Sequence, residues 1–227
     1  MDDFAAWTPF GTALVAFLAS HAIPARPPLR RRLTALMGDR LYLALYSALS
    51  IVLLVWLVHA AAGAPFVELW SFENWQRHVP ALLVPISFGL GAAGLFTPNP
   101  LSMSAARRPF DESRPGVTAL TRHPVLMALA LWTASHLVPN GDLSHVILFG
   151  TFLVLSIGGM FILDRRARRR LGEAEWTALA RRYRVLQWPR GRWLDCRTVL
   201  LGLAGVVFAF AFALLHEVII GVPALAP

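Results

Sequence analysis

Long apolar runs separated by clusters of arginine constrain this chain more than any other feature. The runs from Leu41 to Ala62 and from Thr198 to Val222 carry almost no charge. A helix needs about 20 apolar residues to cross a hydrocarbon core of about 30 Å, and it satisfies every backbone polar group within itself. Such runs predict an all-α polytopic membrane helix bundle. Charged residues make up 15% of the chain, against about 25% in ordinary soluble domains, and that shortage points the same way.

Six transmembrane helices fit the pattern. They cover Phe4–Ile23, Leu41–Ala62, Val79–Phe96, Pro124–Val138, Leu143–Leu163 and Thr198–Val222. The fourth is short for a bilayer. It begins at a proline, whose missing N–H has no partner to lose at a first helical position. Pro139 and the polar turn Asn140-Gly141-Asp142 end it. The first run has no basic stretch before it and no small-residue cleavage site after it, so it is expected to be retained.

The arginines test this arrangement. All 21 basic residues are arginine, and 20 of them fall in three connections, after the first, third and fifth runs. The other connections hold Arg77 alone. By the positive-inside rule the three rich connections face the cytoplasm, and both termini face the outer side. The net charge of +8 is thereby assigned to topology. The expected partner is the lipid bilayer, and nucleic acid is not expected. There is no internal repeat and no low-complexity linker, so residues 1–227 read as one domain. The lone Cys196 excludes an internal disulfide and any CxxC motif.

Two connections have character of their own. Phe66, Leu69, Trp70 and Trp75 lie among polar residues between the second and third runs, an interfacial pattern on the outer surface. In the basic stretch after Leu163, Leu171, Trp176, Leu179 and Tyr183 recur at helical spacing. That predicts one amphipathic helix on the inner surface, its arginines held by anionic headgroups.

Ionisable residues within membrane segments are costly and usually functional, so the seven histidines are the candidate site residues. His78 and His145 read as interfacial, and His216 with Glu217 as a surface pair. His21, His59 and His136 lie within helix ends, and His123 follows Arg122 at an inner boundary. Neutral imidazole is a good iron ligand, and helix bundles build cofactor sites from facing side chains, so bis-histidine haem is a natural hypothesis. His123 and His136 cannot share an iron, since thirteen residues of helix separate them by about 20 Å. No GxSxG, P-loop, HExxH or GxGxxG stands in a suitable context.

The segments SHAIPARPPLR, LTRHP and LWTASHLVPNGDLSHVILFG together resemble the NnrU family of bacterial membrane proteins. The resemblance spans most of the chain and is most specific from Arg122 to Gly150. It implies the bacterial inner membrane and an association with denitrification, through nitrite and nitric oxide reduction. The same segments resemble 15-cis-zeta-carotene isomerase, an integral membrane b-haem enzyme. That likeness implies haem b, with His21 and His136 as axial ligands and His123 and Arg122 near the propionates. It also implies a hydrophobic polyene substrate isomerised through haem iron, and a redox donor. Thr133 replaces that enzyme's cysteine, which removes any thiolate role. A looser similarity, RHP followed by a basic stretch with Tyr and Pro (RRYRVLQWP), is to membrane methyltransferases that hold S-adenosylmethionine. Those carry paired glutamates where this chain has Asp164. The topology places His21 near the inner face and His136 near the outer one. Matching by depth would instead pair His59 with His136, or His21 with His123.

Overall fold

A computed structural model describes residues 2–24, 26–189 and 193–224. Among these, seven α-helices account for nearly all regular structure: α1 (Asp2–Ala22), α2 (Pro27–Ala62), α3 (His78–Phe96), α4 (Pro124–Leu137), α5 (Leu143–Leu171), α6 (Glu173–Arg182) and α7 (Cys196–Ile220). No β-strand occurs among the described residues. A single bridge joins Glu68 and Asp142.

Four helices are long and apolar enough to cross a membrane: α2, α5, α7, and α3 with the 3-10 turn that leads into it. The six expected spans are therefore not all matched. α1 has the length but carries Asp, Trp, Thr and Pro in its first half. α4 has only 14 residues, about 21 Å of helix.

The chain forms two compact units, one of residues 1–71 and 141–148, the other of residues 72–140 and 149–227. In the first, α1 packs on α2. Phe10, Ala13 and Phe17 make the buried face of α1. The Tyr42 hydroxyl donates to the Pro24 carbonyl and ties the α1–α2 connection to α2. The interfacial stretch pairs with the turn before α5: Leu69 N–H donates to Gly141 O at 2.7 Å, and Leu143 N–H to Val67 O at 2.9 Å. A Cβ at Gly141 would overlap the Trp70 backbone.

In the second unit α3 lies against both α4 and α7. Small residues make this possible, as is usual where helices meet in lipid without a hydrophobic drive. A Cβ at Gly94 would stand 2.6 Å from Pro124 Cβ, and one at Gly205 would overlap the Phe88 carbonyl. Ser87 donates to the Ala128 carbonyl across the α3–α4 contact at 2.7 Å. Leu126 and Ala130 of α4 bury against Met160 of α5.

The arginine-rich stretches depart from expectation. The segment from Pro27 to Arg40, expected as a connection, is helical and runs into the apolar run. It breaks only at Gly38, whose φ of 79° and ψ of 159° suit glycine alone. The later basic stretch is not one helix either. α5 continues to Leu171, and Gly172, at φ 86° and ψ 163°, separates it from α6. Arg168 and Glu173 pair across this break. The apolar face of α6 is not turned to lipid. Leu179 and Tyr183, with Leu171 and Trp176 beside them, bury Leu101, Ala167 and Phe110. The loop between α3 and α4 offers Leu101 and Phe110, and periodicity alone cannot distinguish a protein partner from a membrane.

Candidate functional site

The Arg122-His123-Pro124 turn is the centre of a polar cluster in the second unit. Pro124 starts α4, and His123 is its N-cap residue. Three contacts hold this turn in place. Arg122 N–H donates to the Arg184 carbonyl at 3.0 Å, Gln187 N–H donates to the Leu120 carbonyl at 2.9 Å, and Asn99 donates to the Arg122 carbonyl at 3.0 Å. The Asn99 side-chain oxygen accepts the amides of Leu101 and Ser102. One asparagine thus shapes the loop and fixes the turn.

Arg122 meets Asp164 of α5 in a two-point pair, Nε to Oδ1 at 3.0 Å and Nη2 to Oδ2 at 2.5 Å. The side chains are 13% and 15% exposed, so the pair is largely desolvated. His123 is fully buried. Its Nε2 lies 3.1 Å from Asp164 Oδ1 and its Nδ1 lies 3.1 Å from Ser102 Oγ. Arg122 Nε also stands 3.3 Å from Nε2, but the nearer carboxylate only accepts, so Nε2 carries the proton and Nδ1 accepts from Ser102. Burial pushes the imidazole below its ordinary pKa. Asp164 opposes that shift, and Arg122 adds to it. The result is a neutral imidazole between a carboxylate and a hydroxyl.

His136 occupies the last turn of α4, at the far end from His123. Its Nδ1 donates to the Trp132 carbonyl at 2.8 Å. Trp132 and Phe149 stand against it, with ring centroids at 4.8 and 5.1 Å. With the proton on Nδ1, the lone pair is on Nε2, the tautomer of a helix-borne metal ligand. His21, in the first unit, repeats this arrangement. Its Nδ1 donates to the Phe17 carbonyl at 2.8 Å, and Tyr46 lies 6.1 Å from its ring centre. His59 does so too, toward Val55 at 2.9 Å, but on an exposed face.

The structure thus brings Arg122 and His123 together and places His136 apart from them. His21 and His59 share the first unit. Among the described residues no group of three or more His, Cys, Asp or Glu is placed to hold a metal ion. Asp164, Ser102 and Asn99 were not among the sequence candidates. The one signal for Asp164 was its place as a lone acid at the head of an arginine cluster.

Four helices long and apolar enough to cross a membrane define a multi-pass helical membrane protein. The chain belongs to the NnrU family. The family model, described as NnrU protein, matches residues 9–224, nearly the whole length. No curated protein and no solved structure matches it.

Proposed function

We propose that this chain is a b-type haem protein of the bacterial inner membrane, with His136 as an axial ligand. The observation that carries the reading is the fixed tautomer of His136. A carbonyl one turn back holds the Nδ1 proton, and the Nε2 lone pair is left for a metal. Trp132 and Phe149 flank the imidazole and are flat apolar surfaces on which a porphyrin would pack. The donor set fits, since imidazole suits iron. His21 has the same tautomer, and the resemblance to zeta-carotene isomerase assigns it the second axial position. Bound haem would supply redox and Lewis-acid chemistry to a hydrophobic substrate such as a polyene. Arg122 and His123, near the propionates in that resemblance, are engaged here with Asp164. A propionate would have to replace Asp164 on the arginine fork.

The finer topology belongs to this proposal. α1 and α4 join the four long helices as six crossings, both termini lie on the periplasmic side, and twenty arginines lie on the cytoplasmic side. Membership of the family also supports a second reading, a non-catalytic accessory protein for nitrite and nitric oxide reduction. The methyltransferase-like reading has less support, because the Arg122-His123 pair is closed on Asp164.

An optical spectrum of the purified protein, oxidised and then reduced, tests the proposal. A sharp Soret band with split α and β bands is expected. His136→Ala should abolish it and His59→Ala should not. A colourless protein after expression with haem precursor would remove the haem reading. Gene deletion that lowers nitrite and nitric oxide reduction without altering cis-carotenoids would then favour the accessory role.

A further inference from the structure

A cavity of about 350 Å³ opens in the second unit, beside the polar cluster and remote in sequence from His136. Its polar lining includes Asn99, Ser102, Ser104, Arg108 and Arg170, and Phe110 and Leu171 are among its apolar walls. No carboxylate lines it. Two of the wall's polar side chains are satisfied internally. Asn99 is engaged with the amides of Leu101 and Ser102 and with the Arg122 carbonyl. Ser104 donates to the Thr97 carbonyl and accepts from the Ala106 amide. The charged groups left at the rim are both cationic. Arg170 is steadied by a bond to the Pro100 carbonyl, which engages only part of a five-donor fork. Arg108 feels the field of Asp195, which lies outside the lining. Ser102 faces both ways: its hydroxyl lies 3.1 Å from His123 Nδ1 and lines the cavity.

We propose that this cavity binds a phosphomonoester, its phosphate held by Arg108 and Arg170, and its organic part against Phe110 and Leu171. Two guanidinium groups with no acid in the lining match a dianion, and arginine forks pair phosphate oxygens in a bidentate manner. The volume lies at the low end of small-ligand sites, which suits a short organic moiety. A soluble phosphomonoester and the headgroup of phosphatidate share this chemistry. The site does not depend on haem.

The test uses the full-length protein in nanodiscs at fixed ionic strength. In phosphatidylcholine discs the probe is glycerol 3-phosphate, titrated by calorimetry. In a second set, retention of phosphatidate over phosphatidylcholine is read by native mass spectrometry. Saturable binding of glycerol 3-phosphate supports the site with a soluble ligand, and selective retention of phosphatidate supports it with a lipid headgroup. In either case Arg108→Gln and Arg170→Gln should each weaken binding about tenfold, roughly 1.4 kcal/mol. Arg169→Gln, outside the lining, should leave it unchanged. Two arginine variants guard against loss through folding, since Arg170 also braces Pro100 and Arg108 does not. No saturable binding of either probe overturns the proposal. So does binding that survives intact in both arginine variants.

Discussion

Arg122 and Asp164 stand 42 residues apart in sequence and meet through two hydrogen bonds, at 3.0 and 2.5 Å. The pair links the start of α4 to the interior of α5, and His123 Nε2 shares the Asp164 carboxylate. Removing one member leaves a mostly buried charge without its partner. Asp164→Ala should therefore destabilise the protein by about 3 kcal/mol, as breaking a buried ion pair does. Thermal unfolding in detergent would measure it. The double variant Arg122→Ala with Asp164→Ala should be less unstable than the sum of the singles. Additive losses would show that the two side chains do not act as a pair.

The glycines between helices should not tolerate a methyl group equally. A Cβ at Gly205 would run into the Phe88 backbone, and one at Gly89 would stand 3.1 Å from the Gly202 carbonyl. At Gly158 a Cβ would meet nothing within 4 Å. Gly205→Ala should separate α3 from α7 and cost about 1–3 kcal/mol, in the manner of overpacking. Gly89→Ala should cost less and Gly158→Ala close to nothing. Crosslinking yields between engineered cysteine pairs on α3 and α7 would report the order.

Gly38 should be replaceable only at the expense of the α2 kink. Its φ of 79° with ψ of 159° lies in a region that L side chains avoid, at about 1–3 kcal/mol. Gly38→Ala should either destabilise the protein by that much or straighten α2. Distances between spin labels placed at Thr34 and Ser47 would lengthen in the second case. Unchanged distances together with unchanged stability would contradict the kink.

Asp195 caps α7, accepting the Thr198 amide at 2.7 Å. The Thr198 hydroxyl and amide hold its pKa below the ordinary carboxylate value. A carboxyl depressed in the folded state adds stability above its unfolded pKa. That stability is lost as pH falls through the lower, folded value. The contribution should be complete above about pH 4 and fade below it. Asp195→Ala should cost about 1 kcal/mol at neutral pH. The difference from wild type should narrow on acidification, and a gap that stays constant to pH 3 would exclude a titrating cap.

The helical class was legible in the sequence because apolar length reports it directly. The limits of α4 were legible too, since Pro124 opens it and Pro139 with a polar turn closes it. The helical state of Pro27–Met37 was not. Its arginines and its paired prolines look like a connection, and only Gly38 marks where the chain turns. The face made by Leu179 and Tyr183 was correctly seen as apolar. Its partner was mistaken for lipid, because Leu101 and Phe110 come from a loop about seventy residues earlier. Arg122 and His123 stood out as a motif. Asp164 and Ser102 complete the cluster; Asp164 is marked only as a lone acid before an arginine run, and no local pattern selects Ser102.

By itself the sequence determined the helical membrane character, because apolar length and arginine placement are local properties of the chain, and its motif segments carried the resemblance to the family. It also placed His21, His59 and His136 in helix ends, and there each donates Nδ1 to a carbonyl one turn back on its own helix. Only the tertiary structure decided that Asp164 closes on Arg122 and His123, and that two arginines face a cavity without an acid. Those relationships join residues tens of positions apart. Packing of helices brings them together, and hydrophobic pattern does not encode which polar groups will meet.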